Sequence, residues 1–329
     1  MPRFLCLACR RTFSRQTFST SYYLKRPGLP VVIASGLVAC SAHRQIARSC
    51  HCAKTTVTRA AERLGRHAVL FHARALSHLP GLTEPIVHDH FETFIGRQDH
   101  ALGIGTAVGA SSWFVYDLDP APHRGSGRRP DRRSESETKA TARSPYVSSI
   151  RRSIRALISH VSSAEPLVLK VDGRLDYRVA LRKEGLESRI EMQVYPNPVR
   201  GPKGSPRSPE AIKRDRAMFP VDQLHQLFRH SCADQKRETI AFGRRLESIV
   251  GRGHLMAIWK NFIKKRSERA PDKSTPAMRL NLTDGRWRWE RILSRRLFPA
   301  REPLSESALR LYAKRWTRGL PELKLKQAA

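Results

Sequence analysis

The chain has 329 residues, enough for two or three domains. Its 61 Lys and Arg stand against 29 Asp and Glu, a formal net charge of +32 that implies a polyanionic partner: nucleic acid first, with ribosomal RNA and an anionic membrane surface as alternatives. No uninterrupted apolar run approaches the ~18 residues of a membrane span.

The first stretch is basic and rich in Ser and Thr, without an acid before Glu62, in the manner of a transit peptide. Organised cysteine and helix signals within it argue against targeting. Cys6, Cys9, Cys40, Cys50, Cys52 and Cys232 lack the spacing of a disulfide scaffold, so a reduced, cytoplasmic protein is expected. Residues 1–28 contain Cys6-x-x-Cys9 followed by basic residues and Phe13, the form of one zinc knuckle. Zinc wants four ligands. The other pair would lie upstream, or come from Cys50, Cys52 or a histidine, or no zinc binds.

Residues 29–80 read as a small all-α domain. Pro30 to Val38 is a first helix. Ser41 caps a second, His43 to Ser49. The third starts at Lys54 and ends near Arg66, with Gly65 as its stop. Ile46, Ala47, Val57, Ala60 and Leu64 fall where a helix-turn-helix buries its residues. Lys54, Thr55, Thr56, Thr58 and Arg59 then project from a recognition helix into a major groove. His51 stands where the turn usually holds glycine. The plainer alternative is a three-helix bundle with a basic surface.

Residues 81–270 read as α/β. Glu84-Pro-Ile-Val-His-Asp-His-Phe-Glu-Thr-Phe94 is a strand, with Val87, Asp89 and Phe91 on the inward face. An ionised carboxylate between two apolar neighbours needs a compensating cation or metal. Residues 101–108 and 112–117 are two further strands of an antiparallel meander. Gly103-x-Gly105 lacks the helix and lysine of a phosphate loop. Residues 123–145 are polar and charged and read as a mobile basic loop. Ile150 to Val161 is an amphipathic helix. Leu167 to Val171 is a buried strand of the parallel-sheet kind, with Asp172 at its carboxyl end, where functional acids of α/β sheets collect. The plainer reading of Asp172-Gly173 is a turn; Asp176 is a reserve acid. Residues 196–216 read as loop, and 221–229 and 236–250 as helices. The latter holds Glu247, with Glu238 on its opposite side. Residues 271–329 form a basic, helical tail in which Trp287 and Trp289 alternate with arginines; stacking on bases and packing in a core are equally open.

Asp89, Asp172 and Glu247 make a strand-strand-helix set of acids. Three converging carboxylates repel one another, and two Mg²⁺ or Mn²⁺ ions would relieve this. Arg237, Arg244 and Arg245 are candidate phosphate clamps beside Glu247.

In Cys6-x-x-Cys9 with Arg10 to Ser14, the helix-turn-helix at 41–66, Ile86 to Phe94, Val168 to Tyr177, Arg237 to Phe242 with Glu247, and Thr275 to Met278, the chain resembles bacterial insertion-sequence transposases with a retroviral-integrase-like, RNase H-like core. The resemblance implies an RNase H-like mixed sheet flanked by helices, preceded by the helix-turn-helix domain. It implies Asp89, Asp172 and Glu247 as the catalytic, Mg²⁺-binding acids, with Zn²⁺ at Cys6 and Cys9 as a further possibility. It also implies DNA cleavage and strand transfer by a homo-oligomer on element ends and target, in a bacterial cytoplasm near the nucleoid, without a membrane partner. A catalytically inactive derivative that only binds DNA is the alternative, and a structural RNA-binding protein a third.

Overall fold

The structure, a computed structural model, describes residues 2–123, 144–162, 165–198, 202, 206–269 and 271–316. The expected basic loop at 123–145 therefore lies almost wholly outside the described residues, as does the end of the tail.

The chain opens with a hairpin of β1 (Arg3–Leu5) and β2 (Thr12–Ser14), antiparallel with Phe4 opposite Phe13. Those two rings stack at 5.5 Å beneath the turn that carries Cys6 and Cys9. Three helices follow: α1 (Leu29–Val38), α2 (His43–Ser49) and α3 (Lys54–Leu76). His51, in the turn between the last two, has φ +47°, the left-handed conformation for which glycine is preferred. Ile33, Leu37, Ile46, Val57 and Leu64 are buried together.

α3 does not stop at Gly65 as the sequence suggested. It continues to Leu76, because Gly65 is a contact rather than a cap. A side-chain carbon there would stand 3.2 Å from the Cα of Gly251. The two glycines let α3 cross α7 (Leu246–Ile258) with backbones nearly touching. Further along α3, a ring nitrogen of His72 reaches the Val115 carbonyl at 2.8 Å.

The sheet has five strands in the order β5-β4-β3-β6-β7. β3 (Ile86–Ile95), β4 (Arg97–Gly109) and β5 (Val115–Pro122) form the expected antiparallel meander. β6 (Leu167–Val171) runs parallel to β3, and β7 (Ile190–Val194) parallel to β6. One face carries α4 (Pro145–Ile158) and α5 (Asp176–Glu184); the other carries α6 (Pro209–Ser231) and α7. Both faces are thus covered, and Ile86, Val87, His88, His90 and Phe91 are all buried. α4 buries Ile150, Ile154 and Leu157, each contributing about 1.5–3 kcal/mol of transfer free energy. Asn261, in a wide turn that extends α7, holds the backbone N–H and C=O of Val115 at 2.9 and 3.0 Å and so covers part of an edge strand.

Three further expectations change. Residues 209–216 are helical: the Ser208 hydroxyl accepts the Ala211 N–H at 3.2 Å, and Pro209 suits a first turn. The same helix runs through Pro220; the carbonyl it deprives belongs to solvent-exposed Arg216. Residues 236–245 are not helical. Thr239 turns its hydroxyl to the Ala233 carbonyl (2.8 Å) and accepts the Ala241 N–H (2.9 Å), a local alternative to a helical ladder. Gly243 fits under Ile249, where any side chain would collide.

In the C-terminal region α8 (Pro276–Arg279), α9 (Trp289–Leu293) and α10 (Glu306–Tyr312) are short. Trp289 is buried, and Trp287 lies 5.4 Å from Phe262 and 6.0 Å from Phe71. Both tryptophans are packing residues. No helix among the described residues is long and apolar enough to cross a membrane.

Candidate active site and nucleic-acid interface

Asp89 lies on β3, on the face beneath α6. The parallel register pairs Val87 with Lys170. Continued two residues, that register brings Asp172, just past the carboxyl end of β6, level with Asp89, and the Asp172 charge bears on Asp89. The two acids proposed from sequence are therefore neighbours.

α6 brings two groups that the sequence reading passed over. His225 sits against Phe91, with ring centres 5.4 Å apart, and its Nδ1 is 3.9 Å from Asp89 Oδ2. The Thr106 hydroxyl donates to the Asp89 carbonyl at 2.9 Å, so at 2.8 Å it accepts from His225 Nε2. That fixes the tautomer and leaves the Nδ1 lone pair facing Asp89. One turn earlier, Asp222 adds a third carboxylate whose charge bears on Asp89. Asp222 is held by Arg214 from the same helix.

The electrostatics follow from this crowding. Burial, then the Asp172 charge, push Asp89 up to about 7, with Asp222 adding to them; the His90 N–H, bonded to Oδ1 at 2.8 Å, and Arg214 pull the other way. Burial also raises Asp172, against the Arg174 N–H on its Oδ1 and the charges of Arg174 and Arg214. Burial, then Arg229, lower His225 to about 3, so it is neutral at physiological pH. Asp89, Asp172 and His225 thus hold charge reluctantly, and the carboxylate oxygens gathered here are donors of the kind that suit a hard divalent cation. Among the described residues, no three His, Cys, Asp or Glu side chains stand in a metal-ligating arrangement as they lie.

The opposite face shows a contrast. Asp117 and Asp119 of β5 are also neighbours, the first half-buried and the second buried. Arg152 takes Asp119 in a two-pronged pair (2.6 and 2.9 Å), and Ser153 bonds Asp117. That pair has its cation and serves to fasten α4. Asp176, the reserve acid, accepts from Ser144 at 3.1 Å and pairs with Arg174 at 3.4 Å.

Glu247 stands elsewhere. It lies in the first turn of α7 and lines a groove with Thr58, Glu62 and Arg66 of α3. Arg245 is 3.7 Å from Glu62, Arg244 lies over the Phe242 ring at 5.8 Å, and Arg237 is exposed. These arginines belong to the segment before α7, not to the helix that carries Glu247.

At the N-terminal end of α3, Lys54, Thr55, Thr56 and Arg59 are exposed. Thr58 is not free to read bases: its hydroxyl donates to the Lys54 carbonyl and accepts from His43 Nδ1, both at 3.1 Å. In the N-terminal hairpin, backbone and side-chain bonds from Cys9 lower the Cys6 thiol. Cys50 is buried in the core of α1 to α3, which removes it from the exposed knuckle's surroundings. No protein-family model and no curated protein matches the chain.

Proposed function

We propose that the protein is a metal-dependent DNA transposase with an RNase H-like core, and that Asp222 rather than Glu247 is its third acid. The observation that carries this reading is the level placement of Asp89 and Asp172 on neighbouring parallel strands, with Asp222 and His225 brought over them by α6. A mixed five-strand sheet with its first strand at the centre suits the RNase H-like reading. Asp89, Asp172 and Asp222 would hold Mg²⁺ or Mn²⁺, with His225 Nδ1 beside them. When bound, the metal would activate a water or a DNA 3′-hydroxyl and stabilise the leaving 3′-oxygen. Arg214 would have to release Asp222 to an ion, and the exposed Arg237 would receive phosphate. Lys54, Thr55, Thr56 and Arg59 would contact duplex DNA in a helix-turn-helix mode, and a homo-oligomer would pair the element ends.

The test is strand cleavage and joining on DNA carrying the element's ends. Asp89→Ala, Asp172→Ala and Asp222→Ala should each abolish metal-dependent joining with DNA binding retained, whereas Glu247→Ala should keep it. Loss with Glu247→Ala and not with Asp222→Ala would return the third role to Glu247. A second reading, a DNA-binding derivative without catalysis, is favoured by Arg214, which already neutralises Asp222. It predicts duplex binding with no joining under any metal. Preference for folded RNA over duplex DNA would reject both.

A further inference from the structure

A groove of about 850 Å³ runs between the first half of α3, the segment 20–30 and residues 296–297. Six cations line it: Lys25, Arg26, Arg59, Arg63, Arg66 and Arg296. No described lining residue is an Asp or Glu. Among the described residues none of the six cations makes an ion pair; what holds them is neutral. Arg26 donates to the Cys50 carbonyl at 2.8 Å, and Arg63 to the Tyr22 carbonyl at 3.2 Å. Arg296 stacks 5.1 Å from the Phe298 ring centre and 5.8 Å from that of Tyr22. Burial, then the charges of Arg296 and Arg66, hold Arg63 below the ordinary guanidinium range. Like charges gathered without a counter-charge raise the local potential for an anion.

The floor is different. Leu29, Leu64 and Leu297 line it, the last two buried. A cationic rim over an aliphatic floor is amphipathic across its width. A single strand suits such a lining, because its phosphates can meet the rim while the apolar faces of its unpaired bases cover the floor. The groove is also continuous with the recognition surface, because Thr56 and Arg59 belong to both.

We propose that this groove holds a short single-stranded segment of DNA, next to duplex read by the exposed tip of α3. This rests on the DNA-binding part of the reading above and not on its acids.

The experiment measures fluorescence anisotropy of a labelled ten-residue oligo-dT with the full chain in EDTA, so the result is independent of whether the acids cut DNA. Lys25 and Arg296 are exposed, and the double variant Lys25→Glu, Arg296→Glu should fold, checked by circular dichroism. It should bind the oligonucleotide at least tenfold more weakly. Its log-log salt slope should fall by about 1.4, from about 0.7 per cation lost on a single strand. A random duplex should lose less than threefold. The parent should prefer oligo-dT over an abasic strand of equal length. An equal loss for duplex and strand, no preference over the abasic strand, or tighter binding of oligo-rU would each overturn the proposal.

Discussion

Asp89 resists its own charge. Its ionisation is pushed up to about 7 from an ordinary 3.8, first by burial and then by Asp172. As pH rises from about 4 towards 7, the unfolded chain ionises this group before the folded one does, so folding loses stability across that window. Asp89→Asn removes the cost. The variant should be more stable than the parent by about 1–3 kcal/mol at pH 8, with no difference near pH 4. Chemical denaturation at both pH values measures the gap, and Mg²⁺ should narrow it at pH 8 by binding the parent. A constant gap would show that the acid is not strained. Arg152 makes the opposite case. Removing it strands the buried Asp119 carboxylate, so Arg152→Ala should cost about 3–5 kcal/mol in a urea titration. Asp89 was legible because an acid sat in an alternating apolar strand, and Asp172 because it ended an apolar run. Asp222 was not, because its helix reads as interrupted at Pro220 and its acid as one more solvated charge. Only the seating of α6 on Phe91 turns that acid towards the sheet.

Elements were legible where periodicity was strong. α1, α2, β6 and the start of α3 lie where their apolar spacing puts them, and the antiparallel meander follows from its glycine and serine turns. Failures came where one residue type has two uses. Glycine ends helices, but Gly65 instead permits the approach of α7. Gly65→Val should therefore lower stability by about 1–3 kcal/mol, because the opposing atoms are backbone and cannot swing aside. A shift of the urea midpoint at unchanged slope would report it; an unchanged midpoint would mean that the crossing can open. Residues 236–245 failed for a different reason. Their composition suits a helix, but Thr239 and Gly243 satisfy the backbone and the packing in another way.

For the whole molecule, the formal charge of +32 governs association more than folding. If six or more cations meet phosphate, raising salt from 50 to 200 mM should weaken duplex binding by roughly 1,000-fold or more, and a slope near zero would remove DNA as the partner. The 23 residues of α3 span roughly 34 Å at about 1.5 Å per residue. One end bears Lys54 and Thr55; the other reaches β5 through His72, and the glycine crossing clamps it midway. The rod has no joint between those points. A tilt imposed at its outer end is therefore geared to the sheet rather than absorbed, and if that end grips duplex as proposed, the grip on one stretch would set the angle at which the acids meet the next.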